Sequence, residues 1–244
     1  MTSSTPTSAS SRGIAQFVVR LENETWPSRW ELNPGIEFWS CDISLTYDGT
    51  RNQPQAPVAR GGFTVVAPNR TEDLIGDLDY ISYDHGVVAG AILGAEEVLA
   101  NCSIYQGADS TFLIADDVAV DTFWRGQGIG PALVLHAAYS LRVNAVFLQP
   151  AALRTRIGPD GACTTDYDAP RAGPAAQKKV EQAWRRVGFR KLGEGVVWLD
   201  TMQATGYDRN IGVEAAATLT KAEAGANDAR SGASWPVRIK GRTG

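Results

Sequence analysis

The feature that most constrains this chain is a glycine-rich turn between an apolar strand and an apolar helix. The turn reads Arg-Gly-Gln-Gly-Ile-Gly over residues 125–130, after a β-rich run at 110–120 and before a helical repeat at 131–142. Three alternate glycines give the backbone conformations that a side chain would forbid, and they let a ligand come close to the main chain. The exposed N–H groups and the following helix N-terminus predict a cradle for a phosphate or pyrophosphate.

The spacing of the glycines narrows the choice of phosphate ligand. A dinucleotide-binding fold needs G-x-G-x-x-G, and counting from Gly126 the sixth position is Pro131. A nucleotide P-loop ends in Gly-Lys-Ser/Thr, where this chain has Gly130-Pro131-Ala132. Both fingerprints are therefore missing.

The turn and its surroundings resemble the coenzyme A loop of the GNAT acyltransferase superfamily. The pattern R-x-x-G-x-G follows Val118-Ala119-Val120 and an aromatic–arginine pair, Trp124-Arg125. GNAT proteins continue with a helix, a strand, a second helix and a Gly-Phe pair before the last strands. The corresponding segments here are 131–142, 145–149, 174–187 and 188–189. The resemblance covers about residues 110–200 well and the part before it only loosely.

The resemblance implies a fold, a reaction and a set of binding residues. The fold is of the α/β (α+β) class, a GNAT-like mixed, mostly antiparallel twisted sheet flanked by helices. The reaction is direct transfer of an acyl group, usually acetyl, from acyl-CoA to an amine-bearing acceptor, whose identity the sequence leaves open. Acetyl-CoA is then the co-substrate. Contacts to it are implied for Val118, Ala119, Val120, Arg125, Gly126, Gln127, Gly128, Ile129 and Gly130.

The chain departs from the GNAT pattern at the residue expected to protonate the leaving thiolate. Resembling proteins often have Tyr where this chain has Trp184, and an indole N–H cannot act as an acid. The usual Asn before that helix is also missing. Tyr167, in a segment at 150–173 without a secondary-structure pattern, is a candidate to supply a hydroxyl instead. The departures keep open an alternative function, a catalytically weak or inactive acyl-CoA-binding or regulatory module. Independently of that choice, Trp184 is interpreted as a core aromatic on the apolar face of its helix.

The candidate general base is an aspartate in the strand before the turn. A base must take a proton from the attacking amine. Asp116 and Asp117 interrupt an apolar run, and buried carboxylates are costly, so we expect them to face a cleft or water. Strand alternation predicts Asp116 on the same face as Val118 and Val120, with Asp117 on the other. Asp116 is the candidate, and a solvated strand end is the alternative.

The two histidines are given no catalytic role. His136 falls in the middle of a predicted helix and is interpreted as a packed or surface residue. His85 stands in an Asp-His-Gly sequence and is interpreted as a loop residue. With only two histidines and three widely spaced cysteines, the sequence indicates neither a metal site nor a disulfide framework.

The periodicity of the chain divides it into a leader, one domain and a tail. Residues 1–12 are rich in Ser and Thr and predict a disordered leader. Residues 13–204 predict the acyltransferase-like domain, and 205–244 a tail that is partly helical or disordered. Predicted strands before the turn are 14–23, 37–48 and 58–68, the last two forming a hairpin. Predicted helices there are one capped by Thr71 and one at 87–100. A possible helix in the tail is 212–224.

Composition limits the partners and the compartment. The net charge is −4, from 23 Lys and Arg against 27 Asp and Glu, which argues against nucleic-acid or anionic-lipid binding as the main function. No apolar run reaches the length of a membrane span and the N-terminus lacks a signal pattern. We therefore expect a cytoplasmic protein with no membrane partner. A homodimer is left open.

Overall fold

The computed structural model describes nine stretches of the chain. They are residues 15–24, 34–47, 56–100, 109–151, 154–157, 163–166, 173–193, 195–201 and 217–225. The described strands are β1 (Ala15–Asn23), β2 (Ile36–Tyr47), β3 (Ala56–Val66), β4 (Phe112–Val120), β5 (Ala145–Leu148), β6 (Arg154–Ile157), β7 (Cys163–Asp166), β8 (Arg190–Gly193) and β9 (Val196–Asp200). The described helices are α1 (Leu74–Ile81), α2 (Tyr83–Leu93), α3 (Glu96–Leu99), α4 (Ile129–Ser140) and α5 (Pro174–Arg186). A further helical segment at 217–225 is called the C-terminal helix.

Seven strands form one mixed, mostly antiparallel sheet. Their order is β1-β2-β3-β4-β5-β9-β8, and the pair β4 and β5 is parallel while the other described pairs are antiparallel. The chain crosses from β4 to β5 through α4, as a parallel pair requires. The predicted class, a mixed and mostly antiparallel sheet flanked by helices, is confirmed.

Helices cover both faces of the sheet because successive apolar side chains of the strands point to opposite faces. On one face, here the α4 face, Phe63, Leu113 and Leu133 are fully buried beside α4, α5 and the C-terminal helix. On the other, the α2 face, Phe112 and Phe147 are buried under α1, α2 and α3. Each face is thus closed by its own apolar layer.

The predicted elements before and after the turn are confirmed with small shifts at their ends. The hairpin of β2 and β3 is antiparallel as predicted, and the final helix and strands lie where expected. The first predicted helix begins later, at Leu74, because the carboxylate of Asp73 and not the hydroxyl of Thr71 caps it by accepting from the Gly76 N–H. The predicted helix at 87–100 begins earlier and is divided into α2 and α3.

The segment before α5 holds strands that the sequence pattern did not indicate, and the segment after it holds a helix at 217–225 where a possible helix at 212–224 is predicted. The stretch at 150–173 contains the antiparallel pair β6 and β7, so the prediction of no secondary structure there is wrong in part. The C-terminal helix lies inside the predicted tail, and its Leu219 and Ala222 are buried on the α4 face. Part of the predicted tail is therefore packed on the domain. Among the described helices, none is both long and apolar enough to span a membrane.

Candidate active site

Strand β4 has partners on both sides along only part of its length. It pairs with β3 as far as Val120, but with β5 only over Phe112–Ala115. Within the described ranges, no strand is hydrogen-bonded to the β5 side of residues 116–120, although β6 lies close to β3 and β4. This side of 116–120, here the open edge, is an interruption in the middle of the sheet.

Backbone groups of two valines point toward the open edge. The Asp121 N–H donates to the Val58 carbonyl of β3 at 2.8 Å. The backbone groups of every second residue counted back from Asp121 therefore point toward β3. Because both backbone groups of a strand residue point to one side, those of Val118 and Val120 point away from β3. The Val120 carbonyl accepts from Nε of Arg125 at 3.0 Å, which ties the glycine turn to this edge.

The glycine turn adopts the conformations that its glycines were expected to supply. Gly126 and Gly128 have φ of 81° and 82°, in the left-handed region that favours glycine. Helix α4 begins at Ile129, whose side chain is buried and anchors the turn. The amides of the first helical turn have no intrahelical partner, and Pro131 brings none. A Cβ at Gly130 would lie 3.5 Å from methyl groups of both Val118 and Val120, so turn and edge are in contact. The structure thus brings the valines of the open edge and the glycines of the turn together, whereas Ala119 is buried with its backbone directed at β3.

The C-terminal helix lies beside the same turn. A Cβ at Gly128 would lie 3.3 Å from Cγ2 of Thr218, whereas a Cβ at Gly126 would have nothing within 4 Å. At its other end Glu223 accepts a hydrogen bond from the Phe17 N–H of β1, the edge strand of the sheet. The helix therefore joins the sheet edge to one side of the turn and leaves the Gly126 side open.

A β-bulge at Asp116 marks the point where the open edge begins. Opposite β3, Gly62 pairs with Asp117 and Phe63 with Ala115, so Asp116 is the extra residue. The Asp117 carboxylate accepts from the Gly62 N–H at 2.9 Å and satisfies the backbone where the ladder is interrupted. Bulges bend a strand and redirect its side chains.

The bulge overturns the predicted orientation of Asp116. Val118 and Val120 pack on the α4 face, while the Asp116 carboxylate contacts Thr64 and the α2 residue His85, on the α2 face. The prediction that Asp116 shares a face with the valines is wrong because the extra residue inverts the alternation between Ala115 and Val118. The Asp116 side chain is 26% exposed, which agrees with its expected access to water.

His85 is at the centre of a hydrogen-bonded network with Asp116. Its Nε2 lies 2.9 Å from Oδ1 of Asp116 and 2.9 Å from Oγ1 of Thr64, and Thr64 donates to Oδ2 of Asp116 at 2.9 Å. Its Nδ1 lies 2.6 Å from Oγ of Ser82, the N-cap residue of α2. The prediction that His85 is a loop residue is wrong, since it is buried in the first turn of α2.

The partners of the imidazole assign its tautomer. In the neutral imidazole, Nε2 carries the hydrogen, because it faces a carboxylate oxygen and a hydroxyl whose own proton goes to that carboxylate. Neutral Nδ1 then accepts from the Ser82 hydroxyl. The sequence signal for this arrangement was Ser82 three residues before His85, the spacing of an N-cap to the third helical residue.

Three other residues considered in the sequence analysis are Trp184, His136 and Tyr167. Trp184 is 7% exposed and makes an edge-to-face contact with Phe189, so its interpretation as a core aromatic is confirmed. His136 is half-buried on α4, with Nε2 at 3.5 Å from Oγ of Ser140, and burial lowers its pKa below 6.5. Tyr167 lies outside the described residues.

Comparisons with known proteins add no relative from which a function could be transferred. No protein-family model, curated protein or solved structure matches the chain. In the described ranges, no group of three or more His, Cys, Asp and Glu residues is placed to hold a metal ion. The functional argument therefore depends on the geometry of the open edge, the turn and the bulge.

Proposed function

We propose that this protein is an acyl-CoA-dependent N-acyltransferase with a GNAT-like fold, moving an acyl group such as acetyl to an amine. The observation that carries the proposal is the open edge of β4 leading into the glycine turn. An edge at which the backbone groups of Val118 point away from β3 suits the amide-containing arm of coenzyme A, and a turn whose first helical amides have no intrahelical partner suits its diphosphate. The parallel pair of β4 and β5 beside the turn supports the same resemblance.

The open edge extends from the bulge at Asp116 to the start of the glycine turn. From Asp116 to Val120 an extended strand spans about 13 Å. With the diphosphate at the turn, the thioester would lie at the bulge. Backbone groups of Val118 would bind the arm, and the α2 face would receive the amine, because Asp116 lies on that side.

The chemistry is a direct transfer. The amine nitrogen attacks the thioester carbonyl, the C–N bond forms, the C–S bond breaks, and coenzyme A leaves as a thiolate. Asp116, 26% exposed and fixed by Thr64 and His85, would accept the proton that the amine loses. A thiol with an ordinary pKa near 8.5 is a leaving group that does not require an acid at the position of Trp184.

Calorimetric titration of the full chain with acetyl-CoA tests the binding step. S-acetylpantetheine, which has the same arm without the phosphates and the adenosine, is expected to bind at least about tenfold more weakly, equal to about 1.4 kcal/mol. Gly126→Ala is expected to weaken acetyl-CoA binding, because its backbone requires positive φ. Gly193→Ala on β8 is the matched control, with equal space for a Cβ and no positive φ. Equal binding of the two ligands, or no binding at millimolar acetyl-CoA, would contradict the proposal.

Turnover separates the transferase from an inactive acyl-CoA-binding module. Loss of the thioester is followed with acetyl-CoA and a panel of small amines and peptides. Acyl transfer above the uncatalysed rate, reduced in Asp116→Asn, is the expected result. Binding without transfer to any amine of the panel would favour the binding module.

A further inference from the structure

We propose that Ser82, His85 and Asp116 form a second chemical site, an acyl-accepting serine that reacts with activated esters. Ser82 is the nucleophile, His85 the base and Asp116 the residue that orients the base. The site does not depend on acyl-CoA binding, because it is argued only from contacts between α2, β3 and β4.

The distances are those of an activated nucleophile. Oγ of Ser82 lies 2.6 Å from Nδ1 of His85, and Nε2 of the same ring lies 2.9 Å from Oδ1 of Asp116. A serine hydroxyl becomes reactive when a base within hydrogen-bond reach can take its proton and a third group holds that base. Such a constellation is recognised by geometry and roles rather than by sequence position.

The tautomer needed for this role is fixed by two side chains. Thr64 donates to Oδ2 of Asp116 at 2.9 Å, which leaves Oδ1 to accept from Nε2–H of His85. The lone pair of Nδ1 is therefore directed at Ser82. Only 9% of the His85 side chain is exposed, so its orientation is held by packing on the α2 face.

Ser82 also occupies a favourable position for developing negative charge. It is the N-cap of α2, a helix of 11 residues, whose partial positive charge lies at this end. The His85 N–H donates to Oγ and the Gly86 N–H to the Ser82 carbonyl, which leaves the first-turn amides of Tyr83 and Asp84 without an intrahelical partner. The amide after a nucleophile is a common oxyanion donor.

The nucleophile is reachable from solvent. Ser82 is half-buried, and its neighbours Tyr80 and Tyr83 are 66% and 79% exposed. The surface around Ser82 is therefore exposed to solvent and to a small activated ester. The substrate class is an ester with a good leaving group.

The reaction balances without a co-reactant other than water. Oγ of Ser82 attacks the acyl carbon, the O–C bond forms, and the hydroxyl proton moves to Nδ1 of His85. The bond to the leaving group breaks, and His85 returns the proton to it. Water then repeats the sequence and releases the carboxylic acid.

Labelling with an alkyl fluorophosphonate tests the site in the full chain. The probe forms a P–O bond with an activated serine and releases fluoride, and peptide mapping by mass spectrometry gives the rate at each serine. We expect Ser82 to react about 100-fold faster than Ser140, the size of effect that a positioned base supplies. Ser140 is the matched internal control, because it lies 3.5 Å from Nε2 of His136 with no carboxylate on that ring among the described residues.

Variants separate the roles of the three residues. His85→Gln and Asp116→Asn are each expected to slow labelling of Ser82 at least about tenfold, whereas Ser140→Ala leaves it unchanged. With p-nitrophenyl acetate, a burst of about one p-nitrophenolate per chain is expected, and Ser82→Ala abolishes it. Ser82→Asn keeps a capping side chain without a nucleophile and is the folded control if Ser82→Ala unfolds. Labelling of Ser82 no faster than Ser140 in the unmodified protein would overturn the inference, whatever the result with acetyl-CoA.

Discussion

Replacing Gly128 with alanine tests whether the C-terminal helix is seated on the glycine turn. Gly126 and Gly128 have nearly the same positive φ, 81° and 82°, but different surroundings. A new Cβ at Gly126 meets nothing within 4 Å, whereas at Gly128 it meets Cγ2 of Thr218 at 3.3 Å. The two substitutions therefore share a conformational cost and differ by one contact with the C-terminal helix.

The structure sets the size of both effects. An alanine in the left-handed region costs about 1–2 kcal/mol of unfolding free energy at either position. Moving the Thr218 side chain away from its preferred geometry adds about 0.5–1.5 kcal/mol at Gly128 alone. For a chain of this size each kcal/mol corresponds to a change of about 2–4 °C in Tm. Gly128→Ala is thus expected to melt below Gly126→Ala by a few degrees.

A double-mutant cycle with Thr218→Ser isolates the contact. Serine lacks the Cγ2 methyl, so Gly128→Ala combined with Thr218→Ser is expected to lose only the shared conformational cost relative to Thr218→Ser. Chemical denaturation of the single and double variants supplies the four free energies. If Thr218→Ser leaves the difference between the two glycine variants unchanged, the C-terminal helix does not contact the turn.

Three further predictions concern buried and bulged positions. Burial, helped by the charge of Asp42, raises the pKa of Cys41 to about 12, so iodoacetamide at pH 8 is expected to leave Cys41 unmodified in native protein and to modify it in denaturant. Because burial lowers the pKa of His136, the unfolded chain binds a proton first as pH falls below about 6.5. The free energy of unfolding should therefore decrease there, and less so in His136→Gln, as denaturation at several pH values would show. Asp117→Ala leaves the Gly62 N–H without its acceptor and is expected to cost about 1–3 kcal/mol in denaturation experiments, with a smaller loss in Asp117→Asn.

The glycine turn could be predicted from the sequence because its determinants are local. Positive φ at Gly126 and Gly128 follows from the residues themselves, and the apolar repeat after them sets α4. The strands were likewise indicated by short runs of β-branched and apolar residues. The conformation of these elements is therefore determined mainly by residues within each element.

The bulge could not be predicted, because it depends on how two distant strands meet. Asp116 becomes the extra residue only when Gly62 and Phe63 of β3 lie opposite it, and strand alternation alone assigns it to the wrong face. A Cβ at Gly62 would lie 2.7 Å from Oδ1 of Asp117, so glycine there permits the carboxylate to enter the interrupted ladder. No local pattern contains that information.

The prediction that His85 lies in a loop is wrong because Gly86, the residue after it, does not mark a turn in this fold. Asp-His-Gly is typical of a turn, but Gly86 lies inside α2, where a Cβ would come within 2.4 Å of Oδ1 of Asp79 on α1. The glycine allows two helices to approach each other. The contact between His85 and Asp116 then follows from packing between α2 and the sheet, which the sequence pattern does not specify.

Amide hydrogen exchange with and without acetyl-CoA is the most direct measurement of the central claim. The full chain is exchanged in both states and peptides that cover β4, the glycine turn and the start of α4 are compared. We predict slower exchange with acetyl-CoA for Val118 on the open edge and for the amides of 126–130. Unchanged exchange in both places at saturating acetyl-CoA, or protection confined to other parts of the chain, would contradict the claim that this edge and turn bind a thioester of coenzyme A.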